Sequence, residues 1–180
     1  MALPFLLPAD KIKNADELAE IARRRQSAGE KIVLTNGVFD LLHVGHARYL
    51  AEARALGDAL VVAVNSDESV RGFKDPLRPV VPLAERMELL ASLACVDYVV
   101  PFGTRTPVPL IEQVRPLVYA KGGDYTLDDL PEAAVVLGYG GSVQILSLIA
   151  GRSTTALIAR VCAAYCRDFH QNASGTASQE

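Results

Sequence analysis

Six consecutive apolar residues, Ala59-Leu60-Val61-Val62-Ala63-Val64, set the tightest limit on how this chain can fold. A strand with one wet face alternates apolar and polar residues. An unbroken apolar run needs cover on both faces, the condition of a strand inside a parallel sheet with helices on either side. Other β-prone runs at residues 32–34, 96–100, 117–120 and 143–148 alternate with stretches of helical apolar spacing. Five strands alternating with helices predict an α/β fold, a doubly wound five-stranded parallel sheet. The 180 residues suffice for one such domain and are too few for two comfortable ones. The expected layout is a single domain over residues 1–167, beginning with a loose arm (1–9) and an N-terminal helix, then a polar tail (168–180) that composition marks as disordered. Asn14 and Glu17 form a capping-box pattern for the N-terminal helix, which ends near Gly29. Further helices are expected over 82–93, ahead of a third strand ended by Pro101, and over 108–114, 128–137 and 156–165.

In such sheets ligands gather beyond the carboxyl ends of the strands, and the informative residues stand there. Residues 31–50, KIVLTNGVFDLLHVGHARYL, pass from strand through Asn36-Gly37-Val38-Phe39-Asp40 into a helix. Two of the chain's three histidines, His43 and His46, lie at its start with Gly45 between them. Spaced i,i+3, both imidazoles would share the first turn, where unpaired N–H groups and the dipole favour an anion. The glycine leaves room for close approach to backbone. These features predict a phosphate site; the plainer alternative is a pair of capping and packing histidines.

Other strand ends add to the same rim. Asn65-Ser66-Asp67 follows the apolar run and either meets a ligand or caps a short helix. Residues 70–79, with Arg71, Lys74 and Arg78, form a glycine- and proline-punctuated loop that either closes over substrate through Lys74 or is plain solvated surface. Lys121-Gly122-Gly123-Asp124-Tyr125 offers a cation, flexible backbone and an acceptor, or a simple turn. Ser153-Thr154-Thr155 opens the last helix, a second anion-binding arrangement of which capping explains one hydroxyl.

Several classes are excluded. A net charge of −3 argues against a nucleic-acid-coating surface, and Arg23-Arg24-Arg25 reads as a solvated helix end. There is no P-loop motif, no G-x-G-x-x-G after a strand, and no nucleophile with an adjacent base. No apolar run approaches membrane-spanning length, and the first residues carry two prolines and no basic segment of a signal peptide. Cys95, Cys162 and Cys166 form no disulfide framework and read as packing residues of a reduced cytoplasmic protein.

The pattern T-N-G-x-F-D-x-L-H-x-G-H resembles the signature of the HxGH nucleotidyltransferase superfamily. With AVNSD, RPVVPLAERMELLASLACVDYVV, KGGDY and STT, in order over residues 30–162, it looks most like the heptose-phosphate adenylyltransferases, here as a stand-alone chain. The resemblance implies a Rossmann-like fold and a reaction that joins ATP to a heptose 1-phosphate, making ADP-heptose for lipopolysaccharide and releasing pyrophosphate. It implies that His43, His46 and Lys74 are catalytic. Gly37, Val38, Phe39, Gly45, Lys121, Gly122, Asp124, Ser153, Thr154 and Thr155 would bind nucleotide. Asn36, Asp40, Asn65 and Asp67 would meet substrate, as would Arg86 through phosphate. Magnesium held by the phosphates of ATP is expected, with no protein metal cluster, as are a cytoplasmic location and a homodimer. Glycerol-3-phosphate cytidylyltransferases share HxGH and STT, but their R-T-x-G-I-S-T-T run is Leu148 to Thr155 here, with its arginine missing and Arg152 elsewhere. A nucleotide-binding regulatory domain that has lost the reaction is the alternative from another class.

Overall fold

The computed structural model describes residues 7–147 and 151–175, with side chains described as far as Tyr165. Five strands, β1 (Ile32–Gly37), β2 (Ala59–Asn65), β3 (Tyr98–Phe102), β4 (Val118–Gly122) and β5 (Ser142–Leu146), form one sheet in the order β3-β2-β1-β4-β5. All four pairings are parallel. The helices are α1 (Pro8–Lys11), α2 (Ala15–Ser27), α3 (Val44–Arg54), α4 (Asp67–Arg71), α5 (Leu83–Ala91), α6 (Val108–Val114), α7 (Pro131–Gly138) and α8 (Thr154–Gly175). One 3₁₀ turn, Leu127–Asp129, precedes α7.

Period-two alternation sends neighbouring residues of each strand to opposite faces. Val33, Leu60, Val62, Val64 and Val99 pack with Leu50 and Ala53 of α3 and Leu90 and Ala91 of α5. Ile32, Leu34, Val61, Ala63, Val100 and Tyr119 pack with Leu18 and Ala22 of α2, Ile111 and Val114 of α6, and Val136 of α7. Every residue of β2 is buried, as its unbroken apolar run requires. Each aliphatic side chain so buried contributes about 1.5–3 kcal/mol. The capping box of α2 closes as expected: Asn14 Oδ1 accepts from the Glu17 N–H at 2.9 Å, and Glu17 Oε2 from the Asn14 N–H at 3.1 Å.

Element ends differ from expectation for identifiable reasons. Thr35-Asn36-Gly37 continues β1, because pairing with β2 runs on to Gly37 against Val64. Lys121 and Gly122 likewise belong to β4, paired with Ile145 and Leu146. Pro101 does not end β3 but sits inside it, opposite Val64; an edge strand tolerates a missing donor. The helix expected from Asp128 begins at Pro131, after the 3₁₀ turn. Part of the supposed loose arm is ordered: Pro8 and Ala9 belong to α1, which Lys11 fixes by donating from Nζ to the carbonyls of Leu93 and Val96 at 3.2 and 2.8 Å. Residues 1–6, and Leu148 of the expected fifth strand, lie outside the described residues. α8 continues to Gly175, past the expected end near Tyr165 and into the stretch expected to be disordered; residues 176–180 lie outside the described residues. Cys162 is exposed rather than packed, Cys95 is half-buried, and the Cys166 side chain is outside the described set. Arg25 is no solvated helix end: it pairs with Glu30 and donates to Tyr98 Oη at 3.2 Å.

Candidate active site

The carboxyl ends of β1, β2 and β4 form a rim, and the β1–α3 connection is its centre. Phe39 takes a left-handed backbone, φ +48°, which is costly for a bulky residue. Its ring is nonetheless buried, meeting the His46 ring edge-on at 5.3 Å between centroids. Gly37 makes the bend possible, since a Cβ there would lie 2.9 Å from that ring. His43 is the N-cap of α3 rather than a first-turn residue, and its Nδ1 accepts from the His46 N–H at 3.4 Å. The two imidazoles stack, with centroids 3.9 Å apart and planes 15° from parallel. What comes close to Gly45 is the His43 ring itself: a Cβ on Gly45 would meet His43 Cε1 and Nδ1 at 2.9 Å.

Burial, and then the neighbouring His43 charge, push the His46 pKa down to about 4. Burial and then Arg152 lower that of His43. Both rings are therefore neutral near pH 7. Because His43 Nδ1 accepts, its proton sits on Nε2, leaving that atom as an outward donor. His46 Nδ1 is buried without a hydrogen-bonding partner.

A cavity of about 230 Å³ joins His43 and Val44 to Gly151, Arg152, Ser153, Ala156, Leu157 and Arg160. The amino end of α8 thus faces that of α3. Ser153 Oγ accepts from the Ala156 N–H at 3.1 Å as the helix cap, and Thr154 Oγ1 donates to the Leu41 carbonyl at 3.5 Å. Thr155 is exposed. Arg152 and Arg160 were missed as site residues. Arg152 adjoins the hydroxyl run and Arg160 follows Arg152 by two helical turns, which was the available signal. A larger cavity, about 620 Å³ beside α4, is lined by Glu68, Ser69, Gly72, Phe73, Gly103 and Arg105 and holds none of the predicted residues.

Three expected substrate contacts, Arg86, Asp40 and Asn65, are buried and bonded within the protein. Arg86 is fully buried, and its donors are committed: Nε to the Val81 carbonyl at 2.9 Å, Nη1 to Val38 at 2.5 Å, and Nη2 to Asn65 at 2.8 Å and to Asp67 Oδ1 at 2.6 Å. It bolts the rim together, with all three of its nitrogens bonded within the protein. Asp40, 1% exposed, accepts from the N–H groups of Val80 and Val81 at 2.9 Å and from Arg78 at 2.5 Å. Burial pushes its pKa up, but the Val81 and Val80 N–H groups and Arg78 outweigh this and hold it low. The loop of residues 70–79 is therefore anchored at its far end. Asn65 is also buried, its amide given to Ser69 Oγ at 3.1 Å. Asp67 keeps partial exposure.

Lys74 is exposed, its ammonium 5.9 Å from the Phe73 ring, and no contact joins it to the histidines. Asp124 is exposed too. Lys121 is half-buried at the end of β4, where Nζ donates to Asn36 Oδ1 at 3.1 Å and approaches Tyr119 Oη at 3.4 Å. The Tyr119 hydroxyl donates to the same Asn36 oxygen at 2.6 Å. Burial lowers the Lys121 pKa and Glu132 opposes that. Glu132, also missed, is a buried carboxylate whose one sequence signal is a charge within an apolar helix.

Known proteins resemble this chain in sequence and in fold. The chain is 50% identical over 155 residues to the bifunctional protein HldE of Geobacter sulfurreducens, covering 86% of this chain and 32% of that protein. It is 54% identical over 144 residues to HldE of Halorhodospira halophila, covering 80% and 30%. The chain thus spans about a third of the length of these curated relatives. A lipopolysaccharide core biosynthesis protein from Thermoplasma volcanium superposes with a TM-score of 0.57 at 30% identity, covering 67% of this chain and 98% of that one. Pantothenate synthetase from Thermus thermophilus shares the fold, with a TM-score of 0.56 at 17% identity over 77% of this chain and 62% of that one. The cytidylyltransferase-like family profile matches residues 34–146, from the middle of β1 to the last residue of β5, and this chain belongs to that family of nucleotidyltransferases.

Proposed function

We propose that the chain is an adenylyltransferase that joins ATP to a heptose 1-phosphate, giving ADP-heptose and pyrophosphate for lipopolysaccharide core biosynthesis. The observation that carries this reading is the uncharged His43, backed by the stacked His46 ring, facing Arg152, Arg160 and the amino end of α8 across one pocket. Support for the sugar comes from the full motif set of the sequence and from the name of the Thermoplasma volcanium neighbour.

In the reaction an oxygen of the sugar 1-phosphate attacks the α-phosphorus of ATP. The bond to the β-phosphate breaks in line, and pyrophosphate leaves with the electron pair. Two anions must be brought together and the charge growing on the α-phosphoryl oxygens held, so positioning and electrostatics carry the rate. His43 and His46 donate to the triphosphate, and the backbone of Gly37, Val38 and Phe39 cradles the α-phosphate. Gly45 gives His43 its place. Ser153, Thr154 and Thr155, with Arg152 and Arg160, take the β,γ end that becomes pyrophosphate. Lys121 and Gly122 meet a substrate phosphate, while Asn36, Asp67 and Asp124 face hydroxyls. Lys74 closes over the reacting phosphates from its exposed loop.

Among the described residues no group of three His, Cys, Asp or Glu could hold a metal, and the polar lining of the pocket is His43, Ser153 and two arginines, with no carboxylate. The residues do not fit a protein-built magnesium site, and magnesium belongs here with the triphosphate of the substrate. Among the described residues no helix is long and apolar enough to cross a membrane. A cytoplasmic homodimer completes the reading, the dimer being checked by sedimentation.

The deciding experiment is pyrophosphate release with ATP, CTP and GTP crossed against heptose 1-phosphate and glycerol 3-phosphate. Turnover confined to ATP with heptose 1-phosphate is expected. Turnover with CTP and glycerol 3-phosphate would overturn the substrates and keep the chemistry; silence from folded protein that binds nucleotide would overturn the activity.

A further inference from the structure

Glu132, second residue of α7, has no role in the reaction as drawn. It is 4% exposed, its Oε2 has no hydrogen-bonding partner, and it joins none of the ion pairs of the described residues. A buried carboxylate left alone is expensive and is retained where positive charge offsets it; the first turn of α7 supplies part of that, and a nearby cation would supply the rest. α7 packs on β4 and β5, and the cation of β4 is Lys121, itself half-buried beside Asn36 and Tyr119.

We propose that Glu132 is a positioning residue, a buried counter-charge behind β4 that keeps the Lys121 ammonium charged and free to meet a substrate phosphate at the rim. The proposal rests on the reading of Lys121 given above. Separation is what makes the arrangement useful. Asn36 and Tyr119 take two of the three ammonium hydrogens; a carboxylate in contact would take the third, whereas one at a remove supplies charge and leaves it to the ligand. Burial works against the charged Lys121, and Glu132 works for it. The groups facing Lys121 are Asn36 on β1, Tyr119 on its own strand, the Tyr125 ring at 5.7 Å, and Glu132 on α7, with Tyr49 of α3 acting on Tyr119. Glu132 is the one carboxylate in that set.

The test is the pH profile of kcat/KM for ATP and for heptose 1-phosphate in wild type, Glu132→Gln, Glu132→Asp and Lys121→Met. Glu132→Gln should move the alkaline limb down by about one pH unit, a roughly tenfold loss on that limb. The loss should lie in KM, with kcat at saturation retained and wild-type values recovered at lower pH. Glu132→Asp should restore the limb, and Glu132→Gln should add nothing in a Lys121→Met background. An even loss at every pH would mean a merely structural role and would overturn the proposal. Wild-type kinetics in Lys121→Met would instead remove the Lys121 reading itself. An impaired Lys121→Met with an unmoved limb in Glu132→Gln would sink the Glu132 role alone. Should Glu132→Gln fail to fold, NMR titration of the Lys121 ε-carbon in the wild type decides. A second step in the carboxylate range supports the coupling, and a single step overturns it.

Discussion

At Gly45 one absent methyl group decides where an imidazole can lie. A Cβ would stand 2.9 Å from the His43 ring, which hangs on rotatable bonds and can swing away. Gly45→Ala should therefore leave the melting temperature nearly unchanged while kcat/KM for ATP falls about a hundredfold, the scale of a misplaced catalytic donor. His46→Ala should lower kcat by about a hundred or more with the fold intact, as loss of one oxyanion donor does; near-normal turnover in steady-state assays would end that role. The same histidine makes stability depend on pH. Its pKa falls from 6.5 in the unfolded chain to about 4 in the fold, so the unfolded state binds the extra proton first. Its contribution is complete above pH 6.5 and is lost as pH drops toward 4, by up to about 3 kcal/mol. Melting temperatures should decline over that window in the wild type and less steeply in His46→Gln. Sequence placed these two rings correctly at a helix start but not their stacking, because His43 leaves the helix to become its cap.

Arg86 shows how elements are locked to one another. From α5 it reaches the carbonyls of Val38 after β1, Asn65 at the end of β2 and Val81 in the preceding loop, and pairs with Asp67 of α4. Arg86→Met would strand a half-buried carboxylate and three carbonyls. A loss of about 3–5 kcal/mol is expected in urea melts, with activity failing because the Val38 turn loosens. In sequence this arginine looked like a phosphate contact, since spacing places a cation near a rim without saying how deeply it is buried. Arg152 posed the opposite problem. It read as displaced from a familiar motif, yet the approach of α8 to α3 brings its Cβ within 3.3 Å of where a Gly45 Cβ would be. Such helix-to-helix distances are set by packing over the whole sheet, which no local pattern contains.

For the molecule as a whole, the layered sheet was legible because β2 could not be half-wet, and the alternation of runs and helices left few topologies. Strand ends were read short at Thr35-Asn36-Gly37 and Lys121-Gly122, where polar residues suggested turns although cross-strand pairing continues. The same architecture predicts a gradient of stability. Amides of β1 and β2, in the sheet centre, should exchange with solvent only through global unfolding. Those of β5, a partly exposed edge strand, should exchange through smaller openings, and hydrogen-exchange mass spectrometry at several denaturant concentrations would resolve the two classes.

The two walls of the pocket are built unequally. The α3 wall is pinned to the sheet by Arg86, Asp40 and the buried Phe39. The α8 wall shows mostly exposed side chains over its described length and meets the opposite wall through the long Thr154–Leu41 hydrogen bond. The cleft is thus a vice with one fixed jaw and one adjustable jaw. On the proposed reading, a triphosphate spanning this cleft to Arg152 and Arg160 would load the second jaw and leave the first in place.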